Sequence, residues 1–292
     1  MKKALWILAA ALAVAGTFAV HWYLEQRRAE SARAAKIERL AEFGITSNGH
    51  EDFLPLPPTF PHDDAAAALG GDLFRDRRLT APAGRTCLSC HKLEMGGVDG
   101  KTHGGVLTRT VLNSSLAERF LRDGSVSGMP ALVRRMIGDP KFGGGTNLAY
   151  STAWIGSDIK FAYKFKKRFP EGVNPETATT ALCEYLRTLV SFNGAFDRFC
   201  AGATNAFTAA ETRGAAVFRQ QGCIGCHNGP ALGAWQVVDG RKVPALRGLG
   251  KRRIFMADGS RNDLSAVLPF MPGGEIDSLE DRMSLVAFLR QL

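Results

Sequence analysis

The sequence predicts an all-α protein made of two successive helical units, and three observations carry that expectation. A Cys-x-x-Cys-His pentapeptide occurs twice, as Cys87-Leu88-Ser89-Cys90-His91 and as Cys223-Ile224-Gly225-Cys226-His227. Each copy is preceded by a Gly and a Phe four residues apart, in Gly70-Gly71-Asp72-Leu73-Phe74-Arg75 and in Gly214-Ala215-Ala216-Val217-Phe218-Arg219. Each is followed at a distance by a similar apolar stretch, Tyr185-Leu186-Arg187-Thr188-Leu189 and Phe288-Leu289-Arg290-Gln291-Leu292. A spacing of four puts Gly and Phe on one helix face, so the chain reads as an ordered repeat of helix, motif, loops and closing helix. Little in it alternates with period two, and almost no sheet is expected.

Taken in order, the chain opens on Lys2 and Lys3 followed by an unbroken apolar run from Ala4 to Val20, with His21-Trp22-Tyr23 behind it where interfacial aromatics stand. As a helix, Ala4 to Leu24 would extend about 32 Å, enough to cross a bilayer. An uncleaved anchor is the favoured reading and a signal peptide cut after Ala13-Val14-Ala15 the competing one; either puts the rest of the chain outside the cytoplasm. Glu25 to Phe43 is rich in Ala, Glu and Arg and is expected to continue as a helix. Leu54-Pro55-Leu56-Pro57-Pro58-Thr59-Phe60-Pro61 breaks it and marks an extended linker, with His50 and His62 in a polar connecting region. The expected divisions are thus a signal or anchor over 1–24, a helical then Pro-rich linker over 25–62, and two units over 63–200 and 201–292. Within the first unit, Pro130 to Ile137 and Pro175 to Val190 read as helices, the second with Pro at its start.

The pentapeptide has a specific chemical use. Two thiols one helical turn apart add across the two vinyl groups of a haem, and the adjacent imidazole ligates the iron. A bare Cys-x-x-Cys also serves as a redox dithiol or as half of a zinc site, but both uses leave the following His idle. Two copies behind an export segment therefore predict two covalently held c-type haems, on Cys87, Cys90 and His91 and on Cys223, Cys226 and His227. Helix, haem motif and closing helix in that order is the arrangement of the cytochrome c fold. Cys183 and Cys200 are left over, either as a disulfide in an oxidising compartment or as buried packing thiols.

An apolar content of 45% with 22% charged residues describes a globular chain and argues against disorder. The net charge is +9, which haem carboxylates would reduce. A basic surface of this kind suits an acidic redox partner or anionic lipid. Nucleic acid is not expected: the basic run Tyr163-Lys164-Phe165-Lys166-Lys167-Arg168 reads as a solvated helix end.

From about Leu69 to the C-terminus the sequence resembles the bacterial di-haem cytochrome c peroxidase family, to which the MauG proteins are related. The resemblance is carried by Leu73-Phe74-Arg75-Asp76-Arg77-Arg78-Leu79, by Cys90 to Gly100 with its Gly96-Gly97-Val98-Asp99-Gly100, by Thr110-Val111-Leu112-Asn113 and by Leu189 to Arg198. In the second unit it is carried by Cys226-His227-Asn228-Gly229-Pro230, Val243-Pro244-Ala245-Leu246-Arg247 and Asp258-Gly259-Ser260. It implies that the second haem, between His227 and Met271, receives electrons from a small cytochrome c or cupredoxin, and that hydrogen peroxide is reduced to water at the first, because a thioether opposite His raises the potential whereas a ligand that can leave opens a site. It implies His103 as a distal ligand or pocket residue of the first haem, and Asn113 as a calcium ligand at the domain junction. It also leaves room for a homodimer.

The chain departs from the family at several places. The catalytic Glu of an Asn-Pro-x-Glu-Met context has no counterpart in Asp139-Pro140-Lys141-Phe142-Gly143, and Asp139 and His103 are the nearest substitutes. The Trp that bridges the haems is replaced by Arg122, with Trp154 and Trp235 as alternative aromatics, and the His of a Tyr-x-His-Asp-Gly motif by Ala257. The expected activity is that of a peroxidase-type oxidoreductase. A non-catalytic di-haem electron-transfer cytochrome and a MauG-like oxidase of a protein substrate stand as alternatives, the latter opposed by Met271, because a Tyr ligand marks that branch. The expected location is the periplasm, tethered to the inner membrane.

Overall fold

The computed structural model describes residues 53–80, 84–142, 145–203, 205–234 and 236–292, with a few helical positions between 20 and 28. The chain divides into two compact bodies, Met1–Thr46 and Ser47–Leu292, and the account below concerns the latter, which contains both repeat units. The apolar run read as an export segment lies, apart from Val20, outside the described residues, as do His50 and Trp235. Among the described residues no helix is long and apolar enough to cross a membrane.

The all-α expectation holds. The helices are α1 (Asp64–Phe74), α2 (Cys87–Cys90), α3 (Met129–Gly138), α4 (Leu148–Gly156), α5 (Ile159–Arg168), α6 (Pro175–Thr188), α7 (Ala195–Cys200), α8 (Ala209–Gln220) and α9 (Leu279–Leu289). Sheet among the described residues is confined to three antiparallel ribbons of two-residue strands: β1 (Thr102–His103) with β2 (Val106–Leu107), β3 (Arg119–Phe120) with β4 (Val126–Ser127), and β5 (Val237–Val238) with β6 (Arg241–Lys242).

Helix starts follow from side chains that accept orphan backbone N–H groups. Asp63 caps α1 through Ala66 N–H, Asn174 caps α6 ahead of Pro175, and Thr208 with Glu211 forms a capping box on α8. The basic run is the end of α5, with Phe165 fully buried and Tyr163 exposed.

The internal repeat is a repeat in three dimensions. In the first unit α1 crosses α6, and in the second α8 crosses α9. Each crossing is made at the Gly of the lead-in. A Cβ at Gly70 would lie 1.9 Å from the Ala181 carbonyl oxygen, and one at Gly214 would lie 2.0 Å from that of Ser284. Only a residue without a side chain lets the two backbones approach so closely. Four residues on, the Phe enters the core: Phe74 stands 5.2 Å from the Tyr185 ring, and Phe218 stands 5.4 Å from Phe288.

Two apolar cores result. One gathers Leu69, Leu73, Phe74, Ile155, Phe165, Ala181, Leu182 and Leu186, and the other Phe196, Phe207, Phe218, Leu232, Leu285 and Phe288. The segment read as a free linker departs from that reading. It is extended, as its prolines require, but Phe53, Leu54, Leu56 and Phe60 are buried. Phe53 belongs to the second core, 5.3 Å from Phe196, while the Phe60 N–H donates to the Arg187 carbonyl of the first unit. A buried ion pair between Arg247 and Asp197 fixes this strap, since the carboxylate accepts the Leu56 N–H at 2.8 Å and the guanidinium reaches the Leu54 carbonyl. Four apolar side chains in a Pro-rich stretch were the available sign that it packs rather than spans.

Cys183 and Cys200 are both free and buried, one in each core, so the structure takes the packing-thiol reading over the disulfide. Burial pushes the thiol of Cys183 up to about 11 and that of Cys200 up to about 12.

Candidate haem sites

The two pentapeptides adopt the same local turn. His91 N–H donates to the Cys87 carbonyl at 2.9 Å, and His227 N–H donates to that of Cys223 at 2.9 Å. Around the first, Thr86 and Ser89 form a capping box that sets Cys87 and Cys90 one turn apart. Around the second, Gly222 enters with a left-handed backbone and Cys223–Gly225 makes a 3-10 turn. All four thiols are free, and burial raises the pKa of Cys87 to about 12.

Both imidazoles are oriented from the backbone. His91 Nδ1 lies 3.3 Å from the Gly97 carbonyl, and His227 Nδ1 lies 3.2 Å from that of Leu232. A carbonyl can only accept, so Nδ1 carries the proton and Nε2 keeps its lone pair for a metal. Burial lowers the pKa of each ring, which favours the neutral, ligating form, against the partial opposition of those carbonyls. Phe74, carried in by the lead-in helix, is 6.4 Å from the His91 ring. This donor set fits two covalent haems, with the thiols one turn apart and a preset Nε2 beside them. It does not fit a four-cysteine zinc site, because the three-member cluster among the described residues that could hold an ion is Cys90, Asp99 and His103.

That cluster is where the structure places His103. It stands at the end of β1 with Nε2 2.7 Å from Asp99 Oδ2 and 3.7 Å from Cys90 Sγ. Asp99 is buried, which alone would raise its pKa, but hydrogen bonds from His103, Thr108 and the Lys101 N–H hold it below the ordinary carboxylate value. Sequence reasoning singled out His103 and passed over Asp99 as a functional partner, although Asp99 lies in the quoted Gly-Gly-Val-Asp-Gly and four residues before His103. Asp139 sits behind α3, where its carboxylate accepts the Lys141 N–H and approaches Arg135. The Lys141 side chain lies over Gly104, which brings this loop to the β1–β2 turn.

Met271 is half-buried after a 3-10 turn, its N–H on the Leu268 carbonyl and its own carbonyl accepting from Gly274. Its loop is pinned beside the second motif, for a Cβ at Gly273 would meet the Gln221 carbonyl oxygen at 2.2 Å, two residues before Cys223. Asn113 is buried with its amide spent on Ser191, donating to Oγ at 2.8 Å and accepting the N–H at 3.0 Å, a structural use of the residue read as a calcium ligand. His62 bonds the Phe60 carbonyl and Asp64. Trp154, considered as a bridging aromatic, is instead half-exposed on α4 beside Tyr150, Arg77 and Arg78 in a surface cleft of about 450 Å³.

Arg122 stands between β3 and β4 with its carbonyl accepting the Lys242 N–H of β6 at 2.8 Å. Arg109 is exposed, and partial desolvation followed by repulsion from Arg122 lowers its pKa. Burial, with repulsion from Arg109, lowers Lys242 to about 8 and Arg252 to about 10.

The fold and the two motifs define a mostly helical chain of the cytochrome class. Residues 64–205 match the family model described as di-haem cytochrome c peroxidase, and that segment belongs to the di-haem cytochrome c peroxidase and MauG family. The chain is 33% identical over 193 residues to a cytochrome c551 peroxidase of Nitrosomonas europaea, a match covering 63% of this chain and 58% of that protein. It is 28% identical to a cytochrome c peroxidase of Escherichia coli over 74% of this chain and 50% of that one, so it spans little more than half the length of these two relatives. The methylamine utilization protein MauG of Methylorubrum extorquens is 29% identical over 82% of this chain and 81% of its own. Among solved structures, a MauG-like protein associated with microbial copper homeostasis superposes with a TM-score of 0.70 at 19% identity, covering 81% of this chain and 93% of that one. The diheme peroxidase BthA of Burkholderia thailandensis gives 0.64 at 17% identity, over 85% of this chain and 92% of that one. These likenesses show the fold.

Proposed function

We propose that this chain is a periplasmic di-haem peroxidase that reduces hydrogen peroxide to water, taking two protons and two electrons per peroxide, with the electrons supplied by a small cytochrome c or cupredoxin. The observation that supports it most is the His103–Asp99 pair set beside the thiol of the first motif. When bound, the two haems supply redox-active iron, one for relaying electrons and one for breaking the O–O bond. The residues divide that labour. His227 and Met271 hold the relay site, the thioether favouring a high potential. His91 holds the peroxide site, and Asp99 holds His103 through Nε2 beside it, so that the His–Asp pair can store and pass a proton there. The apolar run from Ala4 to Val20 supports a tether to the inner membrane, and covalent haem attachment supports the periplasm.

A second reading, an electron-transfer cytochrome without turnover, is favoured by Phe142 and Arg122 at the positions of the family's carboxylate and bridging Trp. One experiment separates the two. The half-reduced holoprotein is expected to show a five-coordinate high-spin haem on the first motif that consumes added peroxide; a haem that stays six-coordinate and inert assigns the chain to electron relay.

A further inference from the structure

We propose that Arg109, Arg122, Lys242 and Arg252 form a shared receptor for the carboxylates of the two haems, so that the seam between the sites is bridged by charge instead of by an aromatic ring. The inference rests on the di-haem reading.

The cluster hangs on the segments around both ligating rings. Arg109 stands one residue before Thr110, whose hydroxyl donates at 2.7 Å to the Gly96 carbonyl in the loop that orients His91, and Lys242 stands two residues before Pro244, whose carbonyl oxygen and the His227 Nδ1 lie 2.3 Å and 3.3 Å from where a Cβ on Gly233 would stand. The Lys242 N–H donates to the Arg122 carbonyl at 2.8 Å, which ties the ribbon of the second unit to that of the first. Lys242 Nζ lies 5.0 Å from the centroid of the Phe120 ring. Arg252 comes from the second unit yet packs against the loop that orients His91: its Cγ is 3.9 Å from where a Cβ on Gly96 would stand, and Gly97 supplies the carbonyl for His91 Nδ1. One of its nitrogens donates to the Arg247 carbonyl, while Nε is sealed from solvent without a partner.

Among the described residues none of the four cations pairs with a carboxylate, although fourteen other ion pairs are formed. Lys242 and Arg252 are half-buried while Arg109 and Arg122 are exposed, and an unpaired cation is costly where it is desolvated, a cost that an anion entering with the fold offsets. A c-type haem brings two carboxylates on the edge opposite its vinyl groups. Two haems bring four, matched in number to four cations drawn from both repeat units. Guanidinium groups suit this use because they bind carboxylates bidentately without losing their charge.

The test uses the holoprotein, with haem content by pyridine haemochrome, resonance Raman of the propionate bending modes, and the two midpoint potentials by spectroelectrochemistry. Wild type holding fewer than two haems overturns the di-haem reading itself. With two haems present, Lys242→Met and Arg252→Gln are expected to shift a propionate mode and to lower a midpoint potential, because each removes a positive charge that favours the reduced haem. Lys242→Arg is expected to restore both. Two haems with unchanged propionate modes and potentials in Lys242→Met and Arg252→Gln overturn the inference. So does a haem loss in Lys242→Met that Lys242→Arg fails to restore.

Discussion

The Nε2 atom of His103 lies 2.7 Å from the buried carboxylate of Asp99 and 3.7 Å from Cys90 Sγ, so the one histidine in the loop after the first motif is held by an acid beside the second cysteine of that motif. Losing a positioned acid or base costs about 10²–10⁴ in rate. Asp99→Asn, which keeps the shape and removes the charge, is expected to slow peroxide consumption by about 10²-fold with both haems retained. A rate within twofold of wild type would remove Asp99 from the mechanism.

The same pair makes a pH prediction. The folded pKa of Asp99 is lowered from 3.8, so its ionised form stabilises the fold above that value, and the contribution is lost as pH falls through the lower folded value. Urea titrations from pH 6 downward are expected to show a fall in stability below about pH 4 that is shallower in Asp99→Asn. Parallel curves for the two proteins would contradict the assignment.

The crossing glycines offer a stability test of the repeat. Gly70→Ala and Gly214→Ala each force a methyl against a backbone carbonyl, and overpacking of this kind costs roughly 1–3 kcal/mol. Both variants are expected to lower the unfolding midpoint, while alanine at Gly225, where no atom lies within 4 Å of the added methyl, is expected to leave it unchanged. Gly70→Ala as stable as the parent would mean that the helices do not cross there.

What the sequence made legible was whatever repeats at short range. The pentapeptides, the Gly and Phe of each lead-in, and the Pro-initiated helix at Pro175 are local patterns, and each stands where its spacing puts it. What stayed hidden depends on contacts between distant segments. The strap from Phe53 to Phe60 reads as a linker because proline dictates its backbone, and nothing local says that Asp197 will accept a bond from Leu56, 141 residues away. Asp99 escaped notice for the opposite reason. Its spacing to His103 suggests a helical pair, whereas the two meet across a turn and a short strand.

The Arg247–Asp197 pair is buried at both ends, and the carboxylate also accepts N–H groups from Leu56 and Gly194. Removing one partner of such a pair leaves an uncompensated charge, worth about 3–5 kcal/mol. Asp197→Ala is expected to destabilise the protein by that order and to release the strap, so that limited proteolysis cuts near Leu56 before the helices. Protection of that segment in Asp197→Ala would show that its apolar side chains suffice to hold it.

Met271 provides the sharpest test of the proposed inequality between the two candidate haem sites. Its loop cannot move away from the second motif without parting Gly273 from the Gln221 carbonyl, and Gln221 is joined through Gly222 to Cys223. Thioether ligation raises a haem potential relative to nitrogen or water ligation, so Met271→Ala is expected to lower one midpoint potential, leave the other near its wild-type value, and abolish the Met-to-iron charge-transfer band. Gly273→Ala retains the thioether but drives the loop off Gln221, and is expected to weaken the same band. Met271→His, which supplies a ligand of different softness, is expected to keep a six-coordinate spectrum at a lower potential. An unchanged spectrum in Met271→Ala would assign the sixth ligand elsewhere, and with it the claim that electrons enter at the haem of His227.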